Sequence, residues 1–287
     1  MKERGFIDLH IHGAGRYDTR TSDARQILRI AELHGRAGTK AILPTVYSGT
    51  VEEMRLSMEA VDRAMQMDGG ADAAVILGVH LEGPFLNPAR CGAQDKSSIV
   101  RPSTAVLKKL TEGYGRLIKI VTIAPELPGA LEVIERCAES GIRVNMGHSE
   151  ATYRQALEGK KAGASGVTHL FNAMRSFHHR EPGIAGLGLT DEDLYVEVIA
   201  DGVHLHPETL RLIFRSKRHD RIILVSDSVK WGKKKGAPSY KGGGILAGSG
   251  ISLRDSLTVL GSIGIEEAAI LRGALGNPSK YLGIRKI

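Results

Sequence analysis

The residues best suited to chemistry in this sequence are histidines and acids that follow short apolar runs. Glu82 comes just after one such run, and Gly83 and Pro84 then turn the chain. A carboxylate at the end of a buried strand is poorly solvated, so it needs a partner such as a cation or a hydrogen-bond donor. From this segment alone, a metal ligand, a helix cap and a paired acid are all open for Glu82.

Together with Glu82, four histidines make up a set of residues typical of a catalytic metal site. His10 and His12 are separated by one residue, and on a strand that spacing sends both side chains to one face. His148 and His169 end two further apolar runs. Several histidines with one carboxylate bind zinc or iron and leave a position for water. The sequence therefore predicts a divalent metal site of one or two ions.

Two more residues at such positions are suited to acid–base and electrostatic roles. Asp227 follows the last apolar run, and a carboxylate there could take a proton from water and return it to a leaving group. The alternative is an acid that caps the next loop. His204 could polarise a carbonyl or stabilise an oxyanion, or it could be a structural histidine.

The elements that must position these residues alternate between strand and helix. Strands are predicted at 6–9, 39–44, 73–80, 117–124, 142–147, 165–169, 194–200 and 221–226. Helices are predicted at 23–37, 51–67, 103–113, 129–140, 152–162, 207–216, 252–261, 264–275 and 278–282. This order predicts an α/β fold, a (β/α)8 TIM barrel, with an open doubly wound sheet as the alternative. The barrel is favoured because nine of the 11 histidines lie at or just beyond strand ends, where barrel enzymes gather their chemistry.

Length and composition fit one globular domain over residues 1–287, with 42% hydrophobic and 25% charged residues. No apolar segment approaches the roughly 20 residues that cross a bilayer, and the first residues lack the apolar core of a signal peptide. We therefore expect a cytoplasmic protein with no membrane partner. Cys91 and Cys137 are too few and too far apart for a disulfide framework or a cysteine zinc site.

The net charge of +7 does not by itself indicate nucleic-acid binding, because most basic residues are scattered along the chain. The exception is the Gly- and Lys-rich loop 228–251, which contains Lys230, Lys233, Lys234, Lys235 and Lys241. Its length favours a mobile active-site loop. Its lysines form either a solvated surface or a means of attracting a small anionic substrate.

Seven ordered motifs carry a resemblance to a known family. They are HLEGPF at 80–85, GHS at 147–149, THLFNAM at 168–174, REPG at 180–183, ADGVH at 200–204, SD at 226–227 and LAGS at 246–249. From about residue 6 to residue 284, the sequence resembles the N-acetylglucosamine-6-phosphate deacetylases of the amidohydrolase superfamily. The resemblance implies hydrolysis of an acetamide, which yields acetate and an amino-sugar 6-phosphate.

The resemblance also implies a role for each site residue. Glu82, His148 and His169 would be the main metal ligands, and His10 and His12 could complete a second site. Asp227 would be the general base that activates the metal-bound water and the acid that then protonates the amine. His204 would hold the acetyl carbonyl. The sugar phosphate would be bound by Asn172, the backbone of Ala173, and Arg180, for which a salt bridge with Glu181 is the alternative.

The sequence departs from the family pattern at two points. Family members usually carry a small β-sandwich domain, which we expect to be absent here, and one hypothesis is that a partner subunit in a homodimer covers the exposed face. Cys91 and Gln94 stand where the family commonly has Lys and His, so another N-acetylhexosamine 6-phosphate, such as the galactosamine epimer, is an open substrate. Cys91 could equally be incidental. Further alternatives are another amidohydrolase, such as a deaminase or cyclic amidase, and a non-catalytic sugar-phosphate-binding homologue.

Overall fold

Eight parallel strands form the centre of the molecule, which a computed structural model describes over residues 5–230, 239–241 and 244–284. They are β1 Phe6–Ile11, β2 Thr39–Tyr47, β3 Val79–Glu82, β4 Ile118–Ile123, β5 Arg143–Met146, β6 Gly166–Val167, β7 Tyr195–Ile199 and β8 Ile222–Val225. Each strand pairs in parallel with the next one along the chain. Helices connect the successive strands, so the predicted (β/α)8 barrel is confirmed.

The barrel closes where β8 meets β1. The amide of Asp227 donates a hydrogen bond to the carbonyl of His10 at 3.0 Å, and Ile11 pairs with Ser228 in a parallel bridge. Ser228 also accepts a hydrogen bond from the amide of His12 at 2.6 Å. Closure therefore brings together the two strand ends that carry His10, His12 and Asp227.

Helices surround the strands and follow the last of them. In the described ranges they are α1 Ala24–Arg36, α2 Val51–Met65, α3 Thr104–Thr111, α4 Ala130–Glu139, α5 Tyr153–Lys161, α6 Gly183–Thr190, α7 Pro207–Ser216, α8 Leu253–Ser262, α9 Glu267–Leu271 and α10 Asn277–Leu282. A π-helical turn, Arg272–Gly276, joins α9 to α10. None of the helices in this part of the chain combines the length and the apolar character that crossing a membrane requires.

Helix starts follow the capping signals in the sequence. Thr152 and Gln155 form the predicted capping box at the start of α5, in which each side chain bonds the backbone amide of the other. Thr50 and Glu53 do the same for α2. Pro207 occupies the first turn of α7, where its missing amide hydrogen costs nothing. These caps set where each helix begins and hence how long each loop after a strand can be.

Two elements of the barrel differ from the sequence prediction, which has no helix over 183–190 and one continuous strand over 73–80. Helix α6 has no amphipathic period, because it is rich in glycine and leucine and is buried along nearly its whole length. The strand predicted at 73–80 is interrupted: Val75–Ile76 pairs with β2, and β3 begins only after Gly78. Gly78 has a φ of +137°, and a Cβ there would lie 2.3 Å from the carbonyl oxygen of Leu117. Only glycine fits this position, so the break is fixed by sterics.

The apolar core has two parts. The larger cluster includes residues of the helices and of the strand faces that they cover. The smaller cluster gathers Ile7, Leu9, Ala41, Leu43, Ile120, Ile199, Ile223 and Val225 around Tyr281. Because these residues come from strands on different sides of the barrel, the smaller cluster fills the barrel interior. Tyr281 belongs to α10, so the last helix contributes to the packing inside the barrel.

Candidate metal centre

Three of the predicted metal ligands converge at the carboxyl end of the barrel. Glu82 is the last residue of β3, and His148 and His169 follow β5 and β6. Oε1 of Glu82 lies 3.0 Å from Nε2 of His148 and 3.0 Å from Nε2 of His169, and the two nitrogens are 3.1 Å apart. Three buried lone-pair atoms at these distances need positive charge among them. A carboxylate with two imidazoles is a donor set that zinc and iron accept, so the residues fit a divalent cation.

A second group lies beside the first and shares Glu82 with it. Nε2 of His12 is 3.2 Å from Nε2 of His10, 3.3 Å from Oδ1 of Asp227 and 3.4 Å from Oε2 of Glu82. His10, His12 and Asp227 are therefore also close enough to hold one cation together. Oε1 of Glu82 contacts the first group and also lies 3.4 Å from Nε2 of His10, whereas Oε2 faces His12, so the arrangement fits one ion or two adjacent ions.

Hydrogen bonds at the far side of the rings orient three of these histidines. Nδ1 of His12 lies 3.2 Å from the carbonyl of Thr45, and Nδ1 of His148 lies 2.9 Å from the carbonyl of Arg90. A carbonyl oxygen can only accept, so Nδ1 carries the hydrogen and the Nε2 lone pair faces the centre. Nδ1 of His10 is 3.1 Å from a carboxylate oxygen of Glu197. Nδ1 of His169 is buried and has no hydrogen-bond partner within the described ranges.

The electrostatics of the centre favour positive charge. Burial acts to lower the pKa of His12, but bonds to Asp227 and Glu82 outweigh it and raise the pKa to about 9. The pKa of His10 is likewise raised, since Glu82 and a bond to Glu197 outweigh burial. Burial would raise the pKa of Glu82 and of Asp227, but the charged histidines beside them lower both. Protons and a cation can both supply the charge that these groups require, and they compete for the same lone pairs.

A cavity of roughly 590 Å³ opens onto this centre. Glu82, His148, His169, His12 and Asp227 line it, and so do the predicted substrate residues His204, Asn172 and Ala173. His204 is held by Asp201, whose Oδ2 lies 2.7 Å from Nδ1 of the ring. Burial acts to lower the pKa of His204, but the bond to Asp201 outweighs it and the pKa is raised. Nδ1 is thus engaged, and the Nε2 edge of His204 is the one that can meet a ligand.

The backbone is left-handed at several of these positions. His148 has a φ of +48°, His169 of +28° and Asp227 of +48°, and Phe171 and Ala173 also have positive φ. Such conformations cost about 1–3 kcal/mol for residues other than glycine, and they cluster where function requires them. Here they turn the chain directly at strand ends, so that the side chains point at one centre. The sequence carries no signal for them, because neither glycine nor asparagine stands at these five positions.

Arg180 is the predicted site residue that the fold brings neither to the cavity nor to the two metal groups. Its side chain is exposed, in the loop between β6 and α6, and it is not among the cavity-lining residues. The alternative salt bridge with Glu181 is not formed either. Oε1 of Glu181 instead accepts hydrogen bonds from the amides of Tyr153 and Gly183, at 2.7 and 3.1 Å.

Gln94 is a residue at the centre whose contacts could not be read from the sequence. Its Oε1 accepts a hydrogen bond from the amide of Ser48 at 3.0 Å, which turns its Nε2 towards Glu82. That Nε2 lies 2.6 Å from Oε2 of Glu82. The glutamine therefore fixes the carboxylate that both candidate groups share. Its position in the loop after β3 gives no sign of this contact.

The lysine-rich loop is described in part. Lys230 pairs with Asp18 at 2.9 Å, and Nζ of Lys241 donates to the carbonyl of Ala93 at 2.8 Å. Both lysines line the cavity, together with the hairpin formed by Ser239–Lys241 and Ile245–Gly248. Lys233, Lys234 and Lys235 lie outside the described residues. The two described lysines thus add positive charge at the cavity wall.

Comparison with known proteins identifies relatives of the chain. The model of the amidohydrolase family matches residues 4–241. An N-acetylglucosamine-6-phosphate deacetylase of Lysinibacillus sphaericus is 38% identical over 253 residues, which are 84% of this chain and 62% of that protein. An N-acetylgalactosamine-6-phosphate deacetylase of Escherichia coli O157:H7 is 32% identical over 97% of this chain and 77% of that protein.

A solved structure agrees with these matches. Mutant N-acetyl-D-glucosamine-6-phosphate deacetylase of Mycobacterium smegmatis, in complex with N-acetyl-D-glucosamine 6-phosphate, superposes with a TM-score of 0.89 and 29% identity, over 98% of this chain and 77% of that chain. The chain thus spans less than two thirds of the Lysinibacillus protein and about three quarters of the mycobacterial one. On these matches and on its barrel, the chain belongs to the amidohydrolase family and is a relative of the N-acetylglucosamine-6-phosphate deacetylases.

Proposed function

We propose that the chain hydrolyses the acetamide of an N-acetylhexosamine 6-phosphate to acetate and an amino-sugar 6-phosphate. The observation that carries the proposal is the convergence of Glu82, His148 and His169 beside Asp227 at the floor of one cavity. A cation site next to a carboxylate is an arrangement that activates water for the hydrolysis of an amide. The relatives that carry out this reaction supply the substrate class.

The metal is proposed to be zinc or iron, held by Glu82, His148 and His169, and His10 and His12 are proposed to hold a second ion with Asp227. When bound, such a cation would make a water more acidic and supply positive charge near the developing oxyanion. The remaining chemistry belongs to the side chains. Gln94 keeps the Glu82 carboxylate in place by donating to Oε2, and the carbonyls behind His12 and His148 keep their Nε2 atoms directed at the centre.

Asp227 is proposed to move the proton. Its pKa lies below the ordinary value of 3.8, so the carboxylate is ionised at neutral pH and can accept a proton from the attacking water. It then returns the proton to the amine nitrogen, and the bond between the carbonyl carbon and that nitrogen breaks. The neutral amine and acetic acid leave, and transfer of the acid proton to the amine gives acetate and the ammonium group.

His204 and two neighbouring loop residues are proposed to hold the substrate. With Nδ1 bonded to Asp201, the ring of His204 can donate from Nε2 to the acetyl oxygen and stabilise its developing charge. Asn172 and the backbone of Ala173 line the same cavity and can bind the sugar. Arg180 stays a predicted phosphate ligand, and its exposed guanidinium forms no ion pair with the described residues.

The galactosamine epimer is the second candidate substrate. The relative that acts on it covers 97% of this chain and is matched over 77% of its own length. The two sugars differ only in the configuration of one hydroxyl group. The same metal centre and acetamide chemistry would therefore serve both. The choice between them depends on residues at the cavity wall, among which Gln94 departs from the family pattern.

Hydrolysis of a panel of compounds tests the proposal, followed as acetate released from the acetylated sugars, ring opening of a cyclic amide and ammonia released from an aminopurine. The panel contains both N-acetylhexosamine 6-phosphates, the two sugars without phosphate, a cyclic amide and an aminopurine. We expect turnover of one or both phosphorylated sugars and a large loss of kcat/KM without the phosphate. Turnover of only the cyclic amide or the aminopurine would indicate the rival amidohydrolase reactions. Binding of the phosphorylated sugars without turnover would indicate a non-catalytic homologue.

A further inference from the structure

A buried carboxylate outside the two metal groups described above contacts His10, and with His10 and His80 it forms a third, fully buried cluster of possible ligands. Glu197 lies in the middle of β7, and only 1% of it is exposed. Its Oε2 is 3.1 Å from Nδ1 of His10, whose ring is fully buried. We infer that Glu197 is a positioning residue that makes His10 a metal ligand, through a carboxylate–histidine contact behind the ring. The inference rests on the proposed metal-dependent function.

The hydrogen-bond chemistry of the contact determines which nitrogen of His10 carries the hydrogen. An ionised carboxylate can only accept, so Nδ1 must donate to it. The other nitrogen, Nε2, then faces His12, Glu82 and Asp227, at 3.2, 3.4 and 3.6 Å. With its lone pair directed there, His10 can join a cation site, and the negative charge behind the ring makes it a stronger donor. Behind the rings of His12 and His148, Nδ1 faces a neutral backbone carbonyl. Of the three histidines, only His10 has a carboxylate at Nδ1.

A chain of buried hydrogen bonds holds Glu197 itself. Its second oxygen, Oε1, accepts from Nδ2 of Asn145 at 2.8 Å. Oδ1 of Asn145 accepts from the hydroxyl of Tyr281, which lies 3.0 Å from the hydroxyl of Ser165. Because the tyrosine donates to the amide oxygen, the amide nitrogen must face Glu197. Both carboxylate oxygens are therefore committed, and the side chain has one orientation.

The same chain of bonds distinguishes positioning from ordinary packing. Glu197 touches His10, whereas Tyr281 lies two bonds farther away and contributes to the barrel interior. Glu197→Gln keeps the size of the side chain but replaces one acceptor by a donor and removes the charge. Tyr281→Phe keeps the ring and removes the far end of the chain of bonds. A structural role predicts similar effects of the two changes, and a positioning role predicts that only the first alters metal binding.

Cobalt titration of the metal-stripped protein, followed by its visible absorption spectrum, separates these possibilities. For Glu197→Gln we expect the affinity for the ion that His10 holds to fall about 10- to 100-fold, with a changed ligand-field spectrum. For Tyr281→Phe we expect the cobalt affinity and the spectrum of the wild type. Its unfolding midpoint, measured with a chelator to keep the protein metal-free, should be lower than that of the wild type. The inference would be overturned if Glu197→Gln bound cobalt as tightly as the wild type does. It would also be overturned if Tyr281→Phe lost as much cobalt affinity as Glu197→Gln.

Two further outcomes are covered by the same titration. If Glu197→Gln does not fold, Glu197→Asp takes its place, since it keeps the charge but withdraws it from His10 by one methylene. Weaker cobalt binding by that variant supports the inference, and unchanged binding overturns it. Wild-type protein that binds no cobalt would contradict the proposed metal-dependent function and remove the basis of the inference with it. If the wild type binds cobalt and the Glu197 variants bind it equally well, the inference is contradicted but the proposed function is not.

Discussion

At the scale of single residues, the candidate site depends on which atoms keep a free lone pair at the cavity floor. Carbonyls and a carboxylate behind the rings hold the hydrogens of three histidines on Nδ1. Gln94 keeps the shared carboxylate of Glu82 in position. In the metal-free protein, burial acts to raise the pKa of Asp227, but protonated His12 and His10 outweigh it and lower the pKa, so the carboxylate stays ionised. The result is a set of atoms placed to bind a cation and, beside them, the carboxylate that we propose accepts a proton.

Replacing Asp227 tests its assignment as the proton carrier. We expect Asp227→Asn to retain metal at the Glu82, His148 and His169 group and to lose about 10²- to 10⁴-fold in kcat, because an amide cannot accept the proton of water. Metal content and steady-state kinetics on the phosphorylated sugars measure the two effects. Asp95→Asn is the matched control, since Asp95 lines the same cavity but belongs to neither candidate metal group. Near-normal rates in Asp227→Asn would refute the role.

Replacing His204 tests the assigned contact with the acetyl oxygen. We expect His204→Gln to lower kcat/KM about 10²- to 10³-fold, which is the usual cost of losing one oxyanion donor. The control is His206→Gln, because His206 is exposed at the start of α7 and caps that helix. Equal effects of the two changes would assign His204 a structural role.

At the scale of elements, the sequence predicts what depends on local pattern. The eight strands and most helices follow from apolar runs and helical period, and Pro207 and the Thr152 capping box mark two helix starts. The convergence of strand-end residues follows from the barrel, since parallel strands present their carboxyl ends on one side. Helix α6 lacks an amphipathic period and therefore escapes prediction.

Other features of the site depend on contacts between residues far apart in the sequence. Gln94 meets Glu82 only because a loop folds back over the strand end, and Glu197 meets His10 across the barrel. The left-handed backbone at His148, His169 and Asp227 is imposed by the fold. None of these leaves a local pattern. Arg180 shows the converse case, because its motif is present but its side chain lies outside the cavity.

Helix α1 gives a prediction on stability at low pH. His34 of α1 is buried, with Nε2 3.2 Å from the hydroxyl of Ser228, and burial lowers its pKa from 6.5 to about 4. The unfolded chain takes up this proton as the pH falls below about 6.5, whereas the folded protein does not until about pH 4. Stability is therefore lost across this window, by roughly 2 kcal/mol at pH 5.

His34→Gln removes the titrating group and keeps a hydrogen-bond donor. We expect its free energy of unfolding to depend less on pH between 4 and 6.5 than that of the wild type. Urea unfolding at pH 7 and pH 5 measures the difference. The same loss of stability in both proteins would show that other groups account for it.

At the scale of the whole molecule, the barrel contains the candidate ligands, the proposed proton carrier and the cavity. The chain nevertheless spans only 62% of the Lysinibacillus relative, so the activity of that protein is carried over here as a proposal. The expected single domain without a β-sandwich also stays a prediction. What the described ranges establish is the (β/α)8 barrel and its cluster of histidines and acids.

A homodimer is predicted at this scale. The proposed contact is a groove in which the half-buried Ile265 and Leu271 lie beside the buried Phe6, Leu257 and Ile270, since association would cover the apolar side chains that are still partly exposed. Light scattering at micromolar concentration should then give about twice the chain mass of 30.9 kDa. The mass of one chain under these conditions would contradict the prediction.

The central claim is that Glu82, His148 and His169 share a cation on which amide hydrolysis depends. It is tested most directly by adding zinc or iron(II) stepwise to metal-stripped protein and measuring bound metal and acetate release together. Glu82→Gln is the ligand variant, and Glu158→Gln, which changes an acid paired with Lys161 on α5, is the control.

We predict that acetate release rises in proportion to the bound ion in the wild type and in Glu158→Gln. In Glu82→Gln, both metal affinity and acetate release should fall by orders of magnitude, because the carboxylate that both candidate groups share is lost. Full acetate release by the metal-stripped wild type, or wild-type metal binding by Glu82→Gln, would contradict the claim.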